Sequence, residues 1–146
     1  MRILICFASY SGNTQETAEL IRNKLESECI ETVSFRIGAD APPDPSAFDA
    51  MLVGTFTWGK GSVPVEVKEF VYDIGYKPPH VFVFGTGDTQ FGGDDLFCNA
   101  AVKLAAFYES PSEPLKIEQS PRGTQEKKVQ EWTEGVIRRC REHCKK

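Results

Sequence analysis

Arg2-Ile3-Leu4-Ile5-Cys6-Phe7, running straight into Ala8-Ser9-Tyr10-Ser11-Gly12-Asn13-Thr14, decides how the rest of the sequence is read. A short, nearly continuous apolar run that ends in a polar turn has the length and content of a strand buried on both faces. It is too short for a signal-peptide core with a cleavage site. From about Asn13 to Ser27 the pattern becomes helical, with Thr17, Ala18, Leu20, Ile21, Lys24 and Leu25 on a mixed apolar face. Strand, polar loop and helix in that order open a βαβ unit.

The alternation continues to the end of the chain. Glu31 to Ile37 reads as a second strand, and Ala39 to Pro45, rich in proline and aspartate, as a loop that continues neither element. Ala50 to Gly54 is a third strand. A glycine-rich aromatic loop, Thr55 to Val63, then leads to Pro64, placed for the first turn of a helix that ends near Ile74. His80 to Gly85 is a fourth strand, followed by a polar glycine loop, Thr86 to Asp94, and a helix from about Asp95 to Tyr108. A brief fifth strand, Leu115 to Glu118, precedes a last helix, about Thr124 to Cys144, with Val129, Trp132, Val136 and Ile137 on one stripe. Five βα units of this kind predict an α/β fold: a doubly wound five-stranded parallel sheet of order 2-1-3-4-5 with helices on both faces. The 146 residues suit one domain, 1–146, with no internal repeat.

Composition narrows the function. The net charge of -4 argues against nucleic acid as a partner, and no apolar run has the length of a membrane span. Residues 127 to 146 carry seven basic and three acidic side chains, so the body before them is strongly acidic and would steer basic partners. The basic end also suits the negative pole of a helix. The five cysteines, Cys6, Cys29, Cys98, Cys140 and Cys144, form no disulfide or zinc spacing, which predicts reduced thiols in a cytoplasm. Cys140 and Cys144 stand one helical turn apart beside His143 without a second ligand pair, and the plain reading is a frayed terminal helix. Cys98 is predicted to be a buried small hydrophobe. His80 and His143 lie away from the loops that carry chemistry.

Those loops follow strands one, three and four. The first joins a buried strand to a helix N-terminus, where unpaired backbone amides and the helix dipole hold an anion. Ser9, Ser11, Asn13 and Thr14 donate hydrogen bonds without charge, and no Gly-Lys-Ser/Thr ending is present. Such a loop anchors a phosphate and does not cleave one, although the same residue types also serve as plain helix caps. The second loop, Thr55-Phe56-Thr57-Trp58-Gly59-Lys60-Gly61-Ser62, offers an aromatic ring beside glycines that can flip near a ligand. The third, Thr86-Gly87-Asp88-Thr89-Gln90-Phe91-Gly92-Gly93, offers a second ring. Together they describe a planar heterocycle with a phosphate tail.

Ser9-Tyr10-Ser11-Gly12-Asn13-Thr14, Gly54-Thr55-Phe56-Thr57-Trp58-Gly59 and Gly85-Thr86-Gly87-Asp88-Thr89-Gln90-Phe91 resemble the three FMN loops of short-chain flavodoxins, in order and in spacing. The resemblance implies a flavodoxin-like fold and a low-potential one-electron carrier with non-covalent FMN, not an enzyme with catalytic residues of its own. It implies a monomer in the cytoplasm, fed by a flavodoxin/ferredoxin reductase and serving acceptor redox enzymes, with no metal. Carried over by position, Ser9, Ser11, Gly12, Asn13 and Thr14 would hold the phosphate, with Tyr10 contributing backbone. Thr55, Phe56, Thr57, Trp58, Gly59, Lys60 and Gly61 would pass along one side of the isoalloxazine, with Trp58 on its face and the Gly59 peptide near N5. Phe91 would cover the other face, and Thr86, Gly87, Asp88 and Gln90 would approach the pyrimidine end, with Gly92 beside them.

Two departures stand out. The family commonly carries two acids where this chain has Lys60 and Ser62, and less negative charge favours the anionic reduced cofactor. The potential of the second electron is therefore expected to be less negative than is usual for the family. Gly92-Gly93-Asp94-Asp95 lengthens the third loop and would reshape the partner surface. A more distant likeness is to NrdI-type flavoproteins, which would make a manganese ribonucleotide reductase the partner. A receiver domain is excluded, because Phe7-Ala8-Ser9 and Val53-Gly54-Thr55 lack its acids. A flavin-dependent NAD(P)H reductase would need a second nucleotide fingerprint that the chain does not carry.

Overall fold

The side chains of the first strand alternate between two separate cores, and this alternation organises the whole molecule. The computed structural model describes residues 1–8, 12–38, 41–57, 63–87, 98–118 and 121–144. Its strands are β1 (Arg2–Phe7), β2 (Glu31–Arg36), β3 (Ala50–Phe56), β4 (Val81–Gly87) and β5 (Leu115–Glu118). Its helices are α1 (Asn13–Ser27), α2 (Val65–Ile74), α3 (Asn99–Phe107) and α4 (Thr124–Cys144). All strand pairs are parallel, in the order β2-β1-β3-β4-β5, as the alternation predicts. No described helix is long and apolar enough to cross a membrane.

Ile3, Ile5, Leu52, Phe82, Phe84 and Ile117 face α1 and α4 on one side of the sheet. Leu4, Cys6, Met51, Val53, Val81 and Val83 face α2 and α3 on the other. Burial on both faces is what makes β1, β3 and β4 read as unbroken apolar runs. On the first side, Ala18, Ile21 and Leu25 of α1 meet Val129, Val136 and Ile137 of α4. Two ion pairs tie α1 and its C-cap to α4, Lys24 to Glu134 at 3.2 Å and Arg141 to Glu28 at 3.4 Å; being partly exposed, they contribute little to stability.

Four boundaries differ from the sequence reading. β3 extends two residues past Gly54 and β4 two past Gly85, because the β3–β4 ladder continues through Thr55↔Gly85 and Phe56↔Thr86 and the β4–β5 ladder through Gly87↔Glu118. β2 stops at Arg36, and β4 begins one residue after His80, which stands at φ 58°. Of the five βα units counted from sequence, the second carries no α-helix among the described residues, in keeping with the loop read over Ala39 to Pro45: β2 passes to β3 by way of a 3-10 turn, Pro45–Ala47, capped by Asp44 accepting from the Ser46 amide. Pro42, Pro43 and Pro45 remove the amides that an α-helix there would need. The expected start of α3 near Asp95 falls outside the described residues.

The terminal helix is not frayed at Cys140, which is buried in the α1–α4 core one turn beyond Val136. The side chains of His143 and Cys144 lie outside the described set. Cys98 is fully buried, as read from sequence, and its thiol donates to the carbonyls of Gly85 (3.6 Å) and Ile117 (3.7 Å). Burial pushes the Cys98 thiol up from 9.0 to about 11 and the Tyr108 hydroxyl up from 10.0 to about 12. Both groups stay protonated in the fold after they have ionised in the unfolded chain, so the Cys98 contribution is complete below about pH 9 and lost as pH rises through 11, and that of Tyr108 is complete below about pH 10 and lost as pH rises through 12. The urea midpoint should hold steady to about pH 9 and then fall, with Cys98 alone removing about 2 kcal/mol by pH 11. A flat profile between those values would contradict this burial.

Candidate cofactor site

A parallel sheet of this order reverses direction between β1 and β3, and the connections leaving their carboxyl ends diverge to opposite faces. At this reversal the carboxyl ends of β1, β3 and β4, from which the polar loops read from sequence depart, stand side by side. Of the residues singled out for the crevice there, Gly12, Asn13, Thr14, Thr55, Phe56, Thr57, Thr86 and Gly87 are described. Ser9, Tyr10, Ser11, Trp58, Gly59, Lys60, Gly61, Asp88, Gln90, Phe91 and Gly92 lie outside the described residues.

The N-cap of α1 is Gly12 at φ 92°, a left-handed conformation that glycine takes without strain. Among the described residues, nothing stands within 4 Å of where a Cβ on Gly12 would lie. The first bond inside the helix runs from the Glu16 amide to the Gly12 carbonyl at 2.9 Å, so the amides of Asn13, Thr14 and Gln15 have no intrahelical acceptor. With a glycine in the cap, none of the polar side chains nearby is the N-cap, contrary to the simpler reading of this loop. Glu16 adds a carboxylate to the first turn, and Arg122 balances it at 3.5 Å. Arg36 reaches Gln15 at 3.4 Å. Neither arginine was legible as a neighbour of this turn, since both arrive from distant elements.

Two contacts fix the three strand ends against one another. The hydroxyls of Thr14 and Thr86, both buried, stand 2.8 Å apart and join the start of α1 to the end of β4. The Thr57 hydroxyl accepts from the Ala100 amide at 3.3 Å and so holds the start of α3 beside the end of β3. The backbone carries the pairing further, Ala8 amide to Gly54 carbonyl at 3.0 Å and Thr57 amide to Thr86 carbonyl at 3.2 Å. Thr55 is buried and donates its hydroxyl to the Phe56 carbonyl, while Phe56 packs against the α2–α3 core. Those two side chains are turned into the protein, which leaves their main chain to line the crevice.

Thr86→Val should strand the buried Thr14 hydroxyl and cost about 1–2 kcal/mol, whereas the Thr14→Val, Thr86→Val pair should cost less than the single change. Urea unfolding of the three variants tests this; a double loss equal to the sum of the singles would show that the hydroxyls do not meet.

The described donors suit a phosphate monoester: backbone amides at a helix start beside a glycine cap. Among the described residues no three His, Cys, Asp or Glu side chains gather as a metal site. A family model described as Flavodoxin matches residues 5–132. The chain belongs to the flavodoxin family. Over 139 residues it is 32% identical to "Probable flavodoxin 2" of Bacillus subtilis (strain 168), covering 88% of this chain and 89% of that protein. The crystal structure of oxidised flavodoxin 2 from Bacillus cereus is 30% identical, with a TM-score of 0.83 over 95% of this chain and 99% of that one. A Fusobacterium nucleatum flavodoxin bound to flavin mononucleotide shares the fold alone, at 14% identity and a TM-score of 0.76, over 94% and 98% of the two chains. Flavodoxins are electron-transfer flavoproteins and not catalysts in their own right.

Proposed function

We propose that this flavodoxin, as one domain over residues 1–146, binds FMN without a covalent bond and carries electrons one at a time between larger redox proteins. The observation that supports this most is the convergence of the ends of β1, β3 and β4 around an open helix start, fixed by the Thr14–Thr86 contact. FMN supplies the redox chemistry when bound. The chain's task is to hold it. The amides of Asn13, Thr14 and Gln15 would take its phosphate, with Ser9, Ser11 and Gly12 from the same loop. Trp58 and Phe91 would stack on the two ring faces, with Tyr10, Thr55, Phe56, Thr57, Gly59, Lys60 and Gly61 along one side. Thr86, Gly87, Asp88, Gln90 and Gly92 would meet the polar edge of the ring through backbone groups. A flavodoxin/ferredoxin reductase as donor, redox enzymes as acceptors, a monomeric state and a cytoplasmic location complete the reading.

Visible spectra of FMN-reconstituted protein, followed through stepwise anaerobic reduction, test it. A resolved half-reduced state is expected. Direct passage to the fully reduced state would favour the NrdI-type role with a ribonucleotide reductase as partner, and failure to bind FMN would remove the three-loop reading. Lys60→Asp should lower the potential of the second electron by roughly 50 mV, the scale of about 1 kcal/mol between exposed charges. An unchanged potential would place Lys60 away from the ring.

A further inference from the structure

Helix α2 separates its charges. Glu66, Glu69 and Asp73 line a groove toward β2 with Phe35 and Phe70, whereas Lys68, Val71 and Tyr72 face the other way, toward α3. Between α2 and α3 runs a second groove, floored by Val63, Val71, Leu104 and Phe107. It continues past Gly75, the left-handed cap that ends α2, to Tyr76 and Lys77. Tyr72 stands 84% exposed on its rim. An uncovered apolar and aromatic strip of this kind, rimmed by charge, marks an interaction surface.

The charge on the rim has one sign. Lys68 and Lys103 flank the apolar floor, and Lys77 lies over the Phe107 ring at 4.5 Å. Among the described residues none of the three makes an ion pair, whereas Arg2, Arg22, Lys24, Arg122, Lys127 and Arg141 all do. The chain before residue 127 has only ten basic residues against eighteen acidic ones, and three of the ten stand here without a carboxylate. We infer that the α2–α3 groove docks an acidic amphipathic helix of a partner protein, its apolar side chains on Val71, Leu104 and Phe107 and its carboxylates on Lys68, Lys77 and Lys103. A cleft between two helices is the shape that receives a third, and the lysines supply the complement that selects an acidic one. The assignment rests on the protein surface and not on the flavin, so it and the carrier reading fail separately.

The test titrates the FMN-saturated, nitrogen-15-labelled full chain with a synthetic helical peptide bearing Leu and Phe on one face and Glu on the other. The same peptide with Lys in place of Glu is the control. Saturable shifts of the Val71, Tyr72, Leu104 and Phe107 amides are expected from the acidic peptide, weakened by added salt. Lys68→Glu with Lys103→Glu, both on exposed side chains, should weaken binding at least about tenfold. Equal binding of the lysine peptide, indifference to the charge reversal, or no saturable shift would overturn the proposal. So would the same shifts appearing without peptide as protein concentration rises, which would assign the groove to a second copy. Shifts produced equally by phosphatidylserine vesicles would overturn it in favour of a membrane surface.

Discussion

Riboflavin should bind this flavodoxin about a thousandfold more weakly than FMN, although the two share the entire ring system. The difference lies in what the start of α1 can do. Its amides at Asn13, Thr14 and Gln15 have no acceptor within the helix, because Glu16 is the first residue whose amide closes a helical bond. Hydrogen bonds to a charged acceptor contribute about 1.5–3 kcal/mol each, so two of them reach the roughly 4 kcal/mol that a thousandfold represents. Gly12 keeps the approach open, with no atom of the described residues near its missing Cβ and a φ of 92° that a branched residue resists. Gly12→Val should therefore bring the two affinities together by weakening FMN much more than riboflavin. Flavin fluorescence titrations of both ligands against both proteins decide the matter. Equal affinities in the natural chain would mean that the phosphate is not held at this helix start.

Gly54→Ala should destabilise the fold by about 3 kcal/mol, a large effect for one methyl group. Gly54 pairs with Phe84 across the β3–β4 ladder, and a Cβ at Gly54 would stand 2.3 Å from two carbons of the Phe84 ring. That ring has nowhere to go: it is fully buried and lies edge-on to Trp132 at 6.2 Å. Gly135→Ala on α4, where a Cβ meets nothing within 4 Å, is the control and should be neutral or slightly stabilising. Adding Phe84→Leu to Gly54→Ala should recover part of the loss. Urea denaturation compares the variants, and a Gly54→Ala value no larger than that of Gly135→Ala would show that the ring does not cover the glycine.

Much of this architecture is written locally. Ile3 to Phe7, Met51 to Val53 and Val81 to Phe84 read as buried strands because both of their faces are covered, and the stripe from Val129 to Ile137 announces a packed helix. Cys140 extends that stripe by one turn, so its burial was legible to a longer reading of the same period. The site is legible to a lesser degree. Thr55, Phe56, Thr86 and Gly87 resemble loop residues in composition, yet they continue the sheet, the first three along the β3–β4 ladder and Gly87 opposite Glu118 of β5, because neighbours about thirty residues away supply the pairing. The Thr14–Thr86 contact spans 72 residues and has no local signature. Nor does the reach of Arg122 to Glu16, which depends on where the β5–α4 connection comes to rest.

The proline-rich passage from β2 to β3 has a consequence for hydrogen exchange. With a 3-10 turn in place of a helix, β2 pairs only with β1 and keeps most of its side chains at least partly exposed. As an edge strand it can detach by local opening short of global unfolding, unlike the central strands β3 and β4. Amides of Glu31–Arg36 should then trade their protons well before those of β3 and β4. The crevice is built from β1, β3 and β4, so this outer strand can peel away and return while the place for the cofactor persists.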